Sequence, residues 1–172
     1  MKKLLLLIVC LVAGITSSFG QEKGDMGVGM NLNYGSEFSI GLGAKYQYNV
    51  TDNIRLEPEF NYYFKHDGAT VWDMGLNVQY LFHVADDVVV YPLAGLGYAH
   101  VKCDYSVTLE DYEGNSQTLE SGSASDGEIQ FKFGAGAEYR LTDTFKIVVE
   151  PKFQLIDNFN QFVLTAGVVY NF

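Results

Sequence analysis

Alternation constrains this chain more than any other feature. Eight segments carry apolar residues at every second position: 26–34, 38–48, 54–64, 72–82, 88 to about 103, 129–139, 145–155 and 161–172. In the last, Phe162, Leu164, Ala166, Val168, Tyr170 and Phe172 share one phase. Gln161, Thr165, Gly167 and Asn171 share the other, with Val163 and Val169 as its apolar members. A period of two sends successive side chains to opposite sheet faces, so each segment reads as a strand separating two environments. The fifth is the least regular, because Val88, Val89 and Val90 are apolar on both phases. Placing Pro92, Ala94, Leu96 and Tyr98 on the apolar face puts Gly95 and Gly97 on the other. A tilted strand of about ten residues is long enough to cross a hydrocarbon layer.

The connections fall into two classes. Three are short and carry Asp: 50–53, 84–87 and 141–144. Those between them vary: 35–37, 65–71, 104–128 and 156–160. Tight turns on one rim and variable loops on the other fit a membrane barrel with both termini on the turn side. The hairpins also echo one another. Tyr48-Asn49-Val50-Thr51-Asp52 leads to Glu57-Pro58, and Tyr139-Arg140-Leu141-Thr142-Asp143 leads to Glu150-Pro151. Pro92 stands at a similar level, which suggests a bulge or kink shared by three strands.

In a soluble barrel the apolar phase faces inward; in a membrane barrel it faces lipid. Ten glycines (27, 29, 41, 43, 75, 95, 97, 134, 136 and 167) lie on the polar phase, where a narrow interior gains room from absent side chains. Lys45, Arg55, Lys132, Arg140, Lys146 and Lys152 share that phase with Glu57, Glu59, Asp73, Glu138 and Glu150. Near-balanced charge is what a closed interior requires. Aromatics on the apolar phase sit near strand ends in two girdles: Tyr46, Tyr48, Tyr80, Phe82, Tyr139, Phe145, Tyr170 and Phe172, and Tyr34, Phe38, Phe64, Trp72, Tyr98 and Phe162. The fold class expected is all-β: an eight-stranded antiparallel up-and-down transmembrane β-barrel.

Ahead of the first strand, Met1-Lys2-Lys3 precedes an apolar run from Leu4 to Ile15 and then Ser18-Phe19-Gly20. The run is too short to span as a helix and reads as an export signal, residues 1–20, cleaved to leave a barrel of 21–172. Cys10 lies inside the run without the small-residue context of a lipoprotein. The remaining chain has nine basic against twenty-one acidic residues, which disfavours nucleic acid as a partner. It keeps one cysteine, Cys103, so no internal disulfide forms.

Together, the leader, the Gly-x-Gly strands and the terminal Val168-Val169-Tyr170-Asn171-Phe172 resemble the small eight-stranded bacterial outer-membrane barrels, the OmpA/OmpX-like "porin family". The resemblance implies a bacterial outer-membrane location with surrounding lipid and lipopolysaccharide. It also implies recognition by the barrel-assembly machinery through Tyr170 and Phe172. No peptidoglycan-binding domain is expected after the barrel.

An interior of eight strands is filled by side chains, so the lumen ions read as a structural network rather than a wide pore. Some small barrels modify lipid A with a His and a Ser or acidic partner. His66 and His100 are the weak catalytic candidates, with Asp67 or Asp104 as conceivable partners; His83 falls on the turn rim. The 104–128 stretch carries Asp104, Glu110, Asp111, Glu113, Glu120, Asp126 and Glu128 without Lys or Arg. It reads either as an extended hairpin that meets a surface partner or as a hydrated acidic loop. Its 111–115 segment lacks calcium-loop spacing, and no metal or cofactor is expected. A non-enzymatic surface or envelope protein is the leading expectation; a lipid-A-modifying enzyme or a narrow channel is the alternative.

Overall fold

The computed structural model describes residues 23–36, 39–66, 69–110, 116–156 and 159–172, without the side chains of 39, 65, 66, 69, 103–110, 116–125 and 159. The leader 1–20, Phe38 and Asp67 lie outside the described residues. The strands are β1 (Met26–Gly35), β2 (Ser39–Asn49), β3 (Ile54–His66), β4 (Ala69–Tyr80, resumed as Phe82–Ala85), β5 (Val88–Glu110), β6 (Ser116–Arg140), β7 (Phe145–Ile156) and β8 (Phe159–Asn171). Each pairs antiparallel with the next, and β8 returns to β1 with Val168 opposite Met30. The sheet is a closed eight-stranded barrel with no edge along its wall.

The two expected echoes are the same turn built twice. The Val50 and Thr51 amides donate to the Ile54 carbonyl at 2.9 and 3.2 Å, while Thr51 Oγ1 accepts from the Ile54 amide at 2.9 Å. Leu141 and Thr142 donate to Phe145 at 2.9 and 3.1 Å, and Thr142 Oγ1 accepts from the Phe145 amide at 3.0 Å. The start of β1 and the end of β8 are both tied to this rim. Phe172 N donates to Met26 O at 3.0 Å, and Asn171 N to Thr144 O at 2.7 Å.

Of the bulge or kink expected at the prolines, the register excludes the bulge. Between β4 and β5, Gln79 faces Leu93 and Phe82 faces Val90, so the register is unchanged across the break at Leu81. Two successive pairs drop out, Tyr80 with Pro92 and Leu81 with Tyr91. Pro58 leaves the same gap in the β2–β3 ladder and Pro151 in the β6–β7 ladder, each with the register kept on both sides. A missing N–H removes a rung without inserting a residue.

Two boundaries move from their expected places. β3 runs to His66 and β4 starts at Ala69, with a register shift between Tyr63 and His66. The 104–128 stretch, expected as a connection, continues the β5–β6 ladder as far as Glu110 opposite Ser116. β4 ends opposite Cys103 and β7 opposite Gln130, so the hairpin leaves the wall and projects from the loop rim.

The two phases face as their composition demands. Met30, Leu32, Ile129 and Phe131 are exposed on the outer surface, Met30 at 72%. Lys45, Arg55, Lys132, Lys146 and Lys152 are buried with Glu57, Glu59, Asp73, Glu138 and Glu150. Arg140, expected among them, is half-buried at the turn rim, one step beyond the enclosed lumen. Five cations against five anions make the buried set neutral.

Candidate functional site: the closed lumen and the projecting hairpin

The lumen holds a connected polar network and, beside it, a glutamine pair. Near the turn rim, Arg55 forks onto Glu138, NH1 to Oε2 at 2.8 Å and NH2 to Oε1 at 3.1 Å, and Lys146 reaches the same carboxylate at 3.2 Å. Gln79 links this cluster to the next, accepting from Arg55 NH1 at 3.2 Å and donating to Glu150 at 3.4 Å. Glu150 takes Lys45 at 2.8 Å, Lys152 at 3.4 Å and the Tyr91 hydroxyl at 2.7 Å. Lys45 also meets Glu57 at 3.2 Å. Toward the loop rim, Glu59 takes Lys132 at 2.6 Å and Lys152 at 2.9 Å, and Lys132 bonds Asp73 at 2.6 Å. Amides finish the chain, with Asn61 donating to Asp73 at 3.1 Å and Asn33 to Asn61 at 2.7 Å; separately, Gln161 donates to Gln154 at 2.6 Å. Buried ions are tolerated because each faces an opposite charge at short range.

Glycines make the room for these groups. A β-carbon at Gly41 would lie 2.8 Å from the Tyr63 ring, and one at Gly97 2.8 Å from Gln130 Nε2. At Gly43 it would collide with Asn61, and at Gly95 with Asn77. An apolar cluster of Leu81, Val89, Tyr91, Leu93, Val148 and Val169 fills part of the lumen toward the turn rim. The interior is packed with side chains, as a barrel of this strand number allows. The inward phase of Tyr91 is readable from sequence, but its bond to Glu150 crosses between strands that are not neighbours.

Of the two candidate catalytic histidines, the side chain of His100 is described and that of His66 is not. His100 faces outward from β5 opposite Trp72, with ring centroids 5.3 Å apart, and belongs to the aromatic girdle with Tyr98 and Phe60. The His66 and Asp104 side chains and all of Asp67 fall outside the description. His83, expected in the turn, lies in the resumed part of β4 and is half-buried. Among the described residues no group of three or more His, Cys, Asp or Glu could hold a metal ion. Tyr170 and Phe172 are exposed on the outer face of the turn rim, stacked at 6.3 Å, with Phe145 5.2 Å from Tyr170.

A closed, ion-filled barrel with a greasy exterior narrows the relatives to membrane barrels, and the model of the outer membrane protein β-barrel domain matches residues 4–172. The chain belongs to that family. Family membership implies a bacterial outer-membrane location. The N-terminal β-barrel domain of Pseudomonas aeruginosa OprF superposes with a TM-score of 0.62 at 20% identity, covering 88% of this chain and 100% of that one. Ail, the attachment invasion locus protein of Yersinia pestis, gives 0.58 at 16%, covering 88% and 100%. Neisserial surface protein A gives 0.62 at 14%, covering 89% and 99%. At such identities the likeness concerns the fold. No curated protein matches the chain.

Proposed function

We propose that this outer-membrane barrel is a non-enzymatic surface-interaction protein, in which the closed wall holds the β5–β6 hairpin out from the cell to meet a partner. One observation carries the reading. β5 continues in a paired ladder for seven residues, Asp104 to Glu110, past its last β4 partner, which amounts to about 23 Å of projecting sheet. A ladder of that length displays a surface, whereas a short loop only closes the rim. With seven acidic residues and no Lys or Arg between 104 and 128, its complement is a cationic patch. The packed lumen supports a wall without a wide pore, and the outward stacking of His100 on Trp72 supports a non-enzymatic role.

The test is deletion of 107–121 in cells that still show heat-modifiable gel mobility of the barrel. Adhesion or serum survival falls if the reading is right; unchanged adhesion and survival overturn it. In the same cells, lipid A of unchanged mass with and without the protein is the expected result.

A further inference from the structure

We propose that the free edge of β5, Asp104 to Glu110, is a strand-addition site for an extended lysine- or arginine-bearing segment of another protein. This rests on the surface-interaction reading and specifies how the contact is made. Among the described residues, β5 pairs only with β6 beyond Cys103, so alternate N–H and C=O groups of 104–110 face outward from the sheet. Among the described residues, β6 likewise has no β7 partner before Gln130.

Two features choose between the edges. In the ladder, Val107 faces Glu120 and Thr108 faces Thr118, so Leu119 is the unmatched residue and the irregularity lies on β6. A bulge spoils a strand as a template for pairing, and here it leaves the β5 edge regular. The sequences agree. Residues 104–110 include Tyr105, Val107, Thr108 and Leu109, whereas 116–129 is dominated by Ser, Gly and acidic residues. Natural edges are commonly guarded by Lys or Pro, and 104–128 contains neither. The wall strand β4 ends opposite Cys103, so an added strand continues the sheet along the line that β4 leaves. Main-chain bonding supplies register, and the acidic hairpin selects a cationic occupant.

The experiment uses the full chain in lipid nanodiscs and a synthetic peptide alternating lysine and valine. A second peptide has the same sequence and charge but is N-methylated at alternate residues, which removes its main-chain donors. Amide exchange along the hairpin and peptide affinity are measured together. The unmodified peptide slows exchange at alternate amides of 104–110 and binds about tenfold or more tighter than the methylated one. Equal affinity of the two peptides means that charge alone is recognised and overturns the proposal. Protection confined to 116–129, or no binding, overturns it as well. Adhesion lost on deleting 107–121 without strand addition sinks this inference alone. Strand addition with adhesion unaffected by that deletion sinks the surface-interaction reading instead.

Discussion

Tyr91 lies directly across the β5–β6 ladder from Gly136, and its ring occupies the space that any β-carbon at 136 would need. The same ring carries the hydroxyl that bonds Glu150 at 2.7 Å. Gly136→Ala therefore displaces a buried aromatic side chain and breaks a lumen hydrogen bond together. The expected loss is about 1–3 kcal/mol in urea unfolding of the barrel in vesicles. Gly136→Ala in a Tyr91→Phe background should lose less than the two single changes added, because the hydroxyl bond is already gone. Strict additivity would show that the ring and the hydroxyl do not act together.

Glu59 is the shared acceptor of Lys132 and Lys152, with side chains at most 1% exposed in all three. Replacing it by Gln keeps the shape and removes the charge that both ammonium groups face. The expected cost is about 3–5 kcal/mol, the range for breaking a buried pair from one side. Urea midpoints in vesicles check this. A cost below about 1 kcal/mol, typical of a solvated surface pair, would mean that water reaches the lumen ions.

Among the described residues Met30 is the most exposed large hydrophobic, midway along β1 with Val28 and Leu32 on the same face. In water, Met30→Arg would be neutral. Facing hydrocarbon, it should destabilise the folded barrel by about 2–4 kcal/mol, with Arg at Met26, nearer the rim, costing about 0–1. Equal small effects at both positions, by the same unfolding assay, would contradict a lipid-facing exterior.

The strand phases were legible because a period of two leaves no freedom once one face is greasy: Val168 and Gly167 cannot exchange roles without turning over all of β8. The glycine-lined interior followed from the same parity. Parity does not say where the enclosed lumen ends, which is why Arg140 was grouped with the buried ions although it sits at the rim. The projecting ladder stayed one of two readings of 104–128 for a different reason. Residues 116–128 are rich in Ser and Gly with almost no apolar alternation, and only pairing with β5 makes them a strand. The Tyr91–Glu150 bond depends on how strands stagger around the closed wall, which no single strand encodes.

Pro58, Pro92 and Pro151, each with the residue before it, leave two successive ladder pairs unmade on one side and paired residues on the other. The residues before them, Glu57, Tyr91 and Glu150, all point into the lumen and are linked there, Glu57 and Glu150 through Lys45 and Tyr91 to Glu150 directly. If the gap is simply a missing donor, Pro92→Ala should supply it. The amide introduced at position 92 then bonds across to β4, and the interruption at Leu81 closes. The rung contributes about 0.5–1.5 kcal/mol and the freer unfolded chain offsets about 0.4–1, so net stability should move by less than about 1 kcal/mol. Amide exchange is the sharper measurement. Slow exchange at position 92 is expected, whereas the Leu81 amide is already bonded to the Asn53 carbonyl at 2.7 Å and should not change. Free exchange at 92 would show that the strands are held apart there by the lumen packing of Tyr91 and not by the proline.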